Sequence, residues 1–201
     1  MPVPSLVSVL ISAALALAGG GPPAVATPTG SCAIGPHEKL LDQDPSDSQS
    51  PWRKVSDTKV VINFETKGVT QPYRDDMAKG VAAWGKSPCI QPRLVDTCAK
   101  GSNCIHVVLV KKSAEGDDGN FDDIVKGGYT VGGTIQYYTD PLAKQGKGAR
   151  LNVVIHEIGH AVGLRHRKTK HVLMNPSTYS DVFDPDAVDF HNLLVEYANQ
   201  K

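Results

Sequence analysis

The chemistry of this chain concentrates in the run His156-Glu157-Ile158-Gly159-His160-Ala161-Val162-Gly163-Leu164-Arg165-His166. On an α-helix, residues four apart differ by only about 40° around the axis, so His156 and His160 share a face. Two imidazoles one turn apart can grip a single zinc ion. Glu157 sits beside the first ligand, within reach of a metal-bound water without binding the metal itself. Gly163 can end the helix in a left-handed turn, because it has no Cβ to clash at positive φ. Three residues later His166 can fold back as a third ligand. One histidine on an apolar helix is usually an ordinary core or surface residue. Three at this spacing, with Glu157 and Gly163 in place, predict a Zn2+ site. Three protein ligands leave a fourth position open, which marks a catalytic zinc rather than a structural one. Such an ion brings the pKa of its water towards 7, and Glu157 is placed to take the proton and pass it to the leaving amine. His171 competes for the third-ligand role, but the Gly163 turn favours His166. His37, His106 and His191 have no partner spacing.

These residues need a scaffold. Leu151 to Leu164 reads as the best helix of the chain, with Leu151, Val154, Ile155, Ile158 and Val162 packing behind the histidines. Lys59–Glu65 and Ile105–Lys111 are β-branched runs that read as strands, with a weaker one across Arg93–Asp96. Gly132–Thr139 reads as a further strand entered through a glycine-rich turn. Thr70–Lys86 carries Tyr73, Met77, Val81 and Trp84 at helical spacing, and Pro185–Ala198 reads as a closing helix capped by Asp184. Strands first and helices later predict an α+β fold.

The extended zinc run resembles the signature of the metzincin metallopeptidases. Their Met-turn is matched by Val172-Leu173-Met174-Asn175-Pro176, and the position of Met174 is most similar to the matrixin branch. Short secreted bacterial peptidases of the snapalysin type are similar across Gly132 to Leu164, although they carry Asp where this chain has His166. The resemblance implies a metzincin-like zincin: a twisted, mainly parallel sheet, an active-site helix, the Met-turn and a C-terminal helix. It implies a zinc metalloendopeptidase acting on protein or peptide substrates laid as an added strand along Gly132–Thr139, and a specificity-pocket wall at Tyr179. The chain departs from matrixins at Arg167, where they usually have Ser, and Cys32 lies in no cysteine-switch motif.

Composition sets the remaining bounds. The 201 residues carry 21 Lys+Arg against 21 Asp+Glu, and zero net charge gives no electrostatic handle for nucleic acid. The apolar run Val3–Ala18, broken by Gly19–Pro23 and followed by Ala24-Val25-Ala26, reads as a secretory signal peptide over residues 1–26. The mature chain is then expected to be secreted, free of the membrane and monomeric. Residues 27–54, rich in Pro, Ser and Asp, read as a linker or short pro-segment, and 55–201 as the catalytic domain. An exported chain with four cysteines is expected to hold disulfides. Cys98 and Cys104 flank a short turn and are expected to pair. Cys32 then pairs with Cys89 or leaves with a cleaved pro-segment. Glu115–Asp123 is dense in carboxylates, and two readings stand: a Ca2+ loop, or a solvated acidic loop, which the absence of EF-hand order favours. Arg165, Arg167, Lys168 and Lys170 read as a solvated basic loop. Alternative functions are a hydrolase of non-peptide amides and an inactive metal-binding module; the intact Glu157 argues against the second.

Overall fold

The computed structural model describes residues 30–56 and 58–200; the expected signal peptide lies outside them. The elements run β1 (Val60–Glu65), α1 (Gln71–Trp84), β2 (Ile90–Val95), β3 (Cys104–Val110), β4 (Gly119–Lys126), β5 (Tyr129–Tyr138), α2 (Thr139–Gln145), α3 (Lys147–Ala161) and α4 (Ala187–Ala198). The five strands form one sheet in the order β2-β1-β3-β5-β4. β1 pairs in parallel with β2 and β3, and β3 with β5, whereas β4 runs antiparallel to β5. The architecture is α+β, with a mainly parallel sheet.

Period-2 burial explains the layering. Val60, Ile62 and Phe64 of β1, Ile105 and Val107 of β3, and Ile135 and Tyr137 of β5 are buried on one face. That face carries the helices: α3 lies against β4 and β5, and α1 packs between α3 and β2. The two helices approach so closely that a Cβ on Gly80 would stand 2.6 Å from Ile158 Cδ1. Trp84 ends α1 fully buried and donates through Nε1 to the Ile155 carbonyl at 2.9 Å. Its ring meets Phe190 of α4 edge-on.

Several expectations need correcting. Gly132–Tyr138 of the stretch expected to receive the substrate lies within β5, which is paired on both sides and so offers no free edge, and Thr139 already begins α2. The outer strand is β4, drawn from a stretch read as an acidic loop. Its alternation sends Asp122 and Asp123 to opposite faces, and among the described residues no three His, Cys, Asp or Glu ligand atoms of Glu115–Asp123 converge. No calcium site is shown. The cap of α4 is Asp186 rather than Asp184. Asp186 accepts from the amides of Val188 and Asp189, while the Asp189 side chain accepts from the Asp186 amide, a reciprocal capping box.

Residues 30–54, expected as a linker or pro-segment, lie packed on the domain. Cys32 is joined to Cys89, and Cys98 to Cys104. Trp52 is 1% exposed and donates through Nε1 to the Ala161 carbonyl at the end of α3. Leu41 exchanges two hydrogen bonds with the Asn192 side chain of α4. Residues 42–44 run alongside 166–168: the Asp44 amide donates to the His166 carbonyl, and the Lys168 amide to the Asp42 carbonyl.

Arg167, expected in a solvated loop, is buried at the centre of this junction. Its Nε reaches Asp42 at 3.0 Å, and its Nη1 reaches Asp186 at 2.7 Å and Asp189 at 3.0 Å. A buried guanidinium is stable only with such partners, and removing it strands Asp189, which is itself 1% exposed. Arg167→Ala is therefore expected to lower the unfolding free energy by about 3–5 kcal/mol. Asp42→Ala, at the more open end of the cluster, should cost clearly less. Urea unfolding of both variants checks the order.

Candidate active site

The site is assembled from three segments. α3 presents His156 and His160 on one face, their Nε2 atoms 3.0 Å apart. The helix ends at Ala161, and Gly163 takes φ +102°, turning the chain back. A Cβ at Gly163 would also stand 3.1 Å from Pro51 Cα, so the turn and the N-terminal segment share this close approach. His166 then returns with its Nε2 at 3.2 Å from that of His156 and 3.1 Å from that of His160.

Each imidazole is oriented from behind. Nδ1 of His156 donates to the Leu173 carbonyl at 2.7 Å, and Nδ1 of His160 to the Leu164 carbonyl at 2.7 Å. A carbonyl oxygen can only accept, so both rings carry their proton on Nδ1 and turn a lone pair inward from Nε2. Nδ1 of His166 faces Asp47 Oδ2 at 3.2 Å, which favours the same tautomer. Three buried lone pairs aimed at one point repel one another unless a cation lies between them. A proton fits poorly: burial and the neighbouring imidazoles hold His156 well below its ordinary value and push His160 down to about 3. Tetrahedral zinc with N ligands at about 2.0–2.1 Å wants them about 3.3 Å apart, close to the observed triangle. The residues present fit zinc.

Beneath the triad lies the turn of residues 172–176, the segment expected to be the Met-turn. Met174 is fully buried, and its sulfur sits so close under Gly159 that a Cβ there would overlap it. The turn is fixed by the Arg167 amide donating to the Met174 carbonyl at 2.7 Å, and by Asn175 Nδ2 donating to the carbonyls of Arg167 and Thr169. It thereby places Leu173, the acceptor for His156.

Beside the histidines a cleft of about 500 Å³ runs between the start of β4 and residues 175–178. Its acidic lining residues are Asp47, Asp117, Asp118 and Glu157, joined by the three histidines and, among the described residues, by no Lys or Arg. Thr178 Oγ1 donates to Asp118 Oδ2 at 2.8 Å, tying one wall to the strand opposite. Tyr179, expected as a pocket wall, is not among the lining residues. It stands behind the wall, its hydroxyl on Asn175 Oδ1 and its ring against His171. Asp47, Asp118 and the β4 edge escaped the sequence reading; only the acid-rich composition of their segments hinted at them.

Glu157 is 5% exposed, and its Oε2 accepts no hydrogen bond among the described residues. Gly119 makes room for it, since a Cβ there would stand 2.9 Å from its Oε1. A scan against protein-family profiles matches the matrixin family over residues 49–193, more than two-thirds of the chain. The chain belongs to the matrixin family. No curated protein sequence matches it, and the snapalysin likeness is not shown. As a matrixin it is a zinc metalloendopeptidase, with His156, His160 and His166 as the zinc ligands and Glu157 beside them.

In this matrixin the carboxyl of Glu157 is pushed up to about 8, first by burial and then by the charges of Asp117, Asp122 and Asp47. In the zinc-free fold Glu157 thus keeps its proton at neutral pH, whereas an unfolded carboxyl releases it near 4.5. The folded state binds the extra proton between these values, so this contribution to stability is complete at low pH and is lost as pH rises through about 8. With chelator present, the wild type should lose stability relative to Glu157→Gln between about pH 5 and about pH 8. Chemical denaturation of both proteins across that range measures it.

Proposed function

We propose that this matrixin is a secreted endopeptidase in which Glu157 is the general base and then the general acid of peptide hydrolysis. The observation that carries this reading is the unpartnered Oε2 of a buried Glu157, adjacent to the histidine triad yet outside it. When bound, zinc supplies Lewis acidity, polarising the scissile carbonyl and acidifying water. Glu157 accepts the proton of the attacking water at its carboxylate and returns it to the departing amide nitrogen, a role usually worth about 10²–10⁴ in rate.

The substrate backbone pairs with the open edge of β4, which borders the cleft and has its outer hydrogen-bonding groups unpaired in the sheet. Backbone pairing selects an extended peptide before any side chain is read, which favours peptides over the non-peptide amides of the alternative reading. Export is supported by the N-terminal apolar run and by two disulfides, which persist in oxidising compartments.

The test is metal content beside activity. Glu157→Gln is nearly isosteric and should retain zinc while losing at least ~10²-fold in turnover. His160→Ala should lose zinc and activity together, and a chelator should silence the wild type until zinc is restored. A Gln variant that lost its zinc, or one that kept near-normal turnover, would overturn the role given to Glu157.

A further inference from the structure

We propose that Asp47 is the positioning residue of the third zinc ligand, and hence that residues 42–52 are a permanent part of the metal centre rather than a removable segment. The proposal rests on the three histidines as the ligand set, and its test is read without substrate.

The third ligand differs from the other two in how it is held. His156 and His160 lie on a helix and are oriented by carbonyls only 17 and 4 residues away. His166 lies in a loop, its side chain is 28% exposed, and its Nδ1 meets a carboxylate 119 residues upstream. Asp47 Oδ2 accepts from the backbone N–H of His166 and lies 3.2 Å from its Nδ1, so one carboxylate oxygen bears on both backbone and ring. A carboxylate behind a ligating imidazole locks its tautomer and raises its basicity, and such partners commonly matter 10–100-fold in metal affinity.

Asp47 is itself anchored on both sides. Upstream, Asp42 pairs with Arg167, and the Asp44 amide donates to the His166 carbonyl at 2.9 Å. Between them, Asp44 Oδ1 accepts from the amide and hydroxyl of Ser46, and the Asp47 amide donates to the Asp44 carbonyl. Downstream, Trp52 is buried against the end of α3. Asp47 and Gln49 also line the cleft. Removing this segment would strip the acceptor from His166, the counter-charge of Asp42 from Arg167 and one wall from the cleft. Any processing that leaves the zinc site intact therefore leaves Asp47 on the chain.

The experiment compares wild type, Asp47→Ala and Asp47→Asn. Zinc affinity is measured by competition with a chromogenic chelator, and the unfolding midpoint of each zinc-free protein in excess chelator. Asp47→Ala is expected to bind zinc about 10–100-fold more weakly, with a zinc-free midpoint lowered by no more than about 4 °C. Asp47→Asn keeps one acceptor oxygen without the charge and should fall between the two. A purely structural role would instead lower the zinc-free midpoint and leave zinc affinity untouched. Zinc affinity within about twofold of wild type in both variants sinks the proposal. Should the Ala variant fail to fold, the isosteric Asn variant decides alone, with wild-type affinity counting against and a clear loss counting for.

Discussion

Three imidazole lone pairs have to meet at one point inside the protein, and everything else in the structure answers that demand. A helix can deliver only two of them, because its period brings His156 and His160 together and carries the next turn away. The third must come from a chain that stops, reverses and returns, which is the work of Gly163 and the few residues after it. Orientation then requires an acceptor behind every ring. One comes from the reversal itself at Leu164 and one from the turn at Leu173, while Asp47 of the N-terminal segment sets its carboxylate 3.2 Å from Nδ1 of the third ring. Three separate stretches of chain thus converge on the back of the triad, and none of them could be altered without turning a ring.

The electrostatics of the cleft follow a similar logic. Carboxylates cluster on the substrate side, and their combined field, together with burial, makes Glu157 reluctant to ionise. Away from the cleft the guanidinium of Arg167 is taken up by its own nest of Asp42, Asp186 and Asp189. Arg167 lies directly after a zinc ligand in sequence, yet its charge serves the junction of the N-terminal segment, the Met-turn and α4. This accounts for an arginine at a position where matrixins usually have serine: the acids that neutralise it are present in the same chain.

What could be read from the sequence was what is local. The helical period fixed His156, His160 and the apolar residues behind them, Gly163 announced the reversal, and β1 and β3 declared themselves by β-branched composition. The features that escaped depend on contacts between distant residues. Arg167 looked solvated because its partners lie 125, 19 and 22 residues away. The N-terminal segment looked like a linker because its Pro, Ser and Asp content suits an unpacked chain, and the candidate pairing of Cys32 with Cys89 was the hint of a tie to the domain. β4 was masked by its own acids, which mimic a loop. Its place in the sheet comes from pairing with β5, a relation that no single-strand pattern reveals.

That outer strand carries a liability as well as a use. An unpaired sheet edge invites any other extended chain, including another copy of the same protein, and so courts aggregation. Here the edge stays open, with Ile124 and Val125 exposed on it. Two devices limit the hazard: a register break between Ile124 and Val125, and charges at Asp122, Asp123 and Lys126. The acids that disguised this strand as a loop are thus also its gatekeepers, discouraging the edge from recruiting a second sheet while the end nearest the cleft stays free for the substrate proposed above.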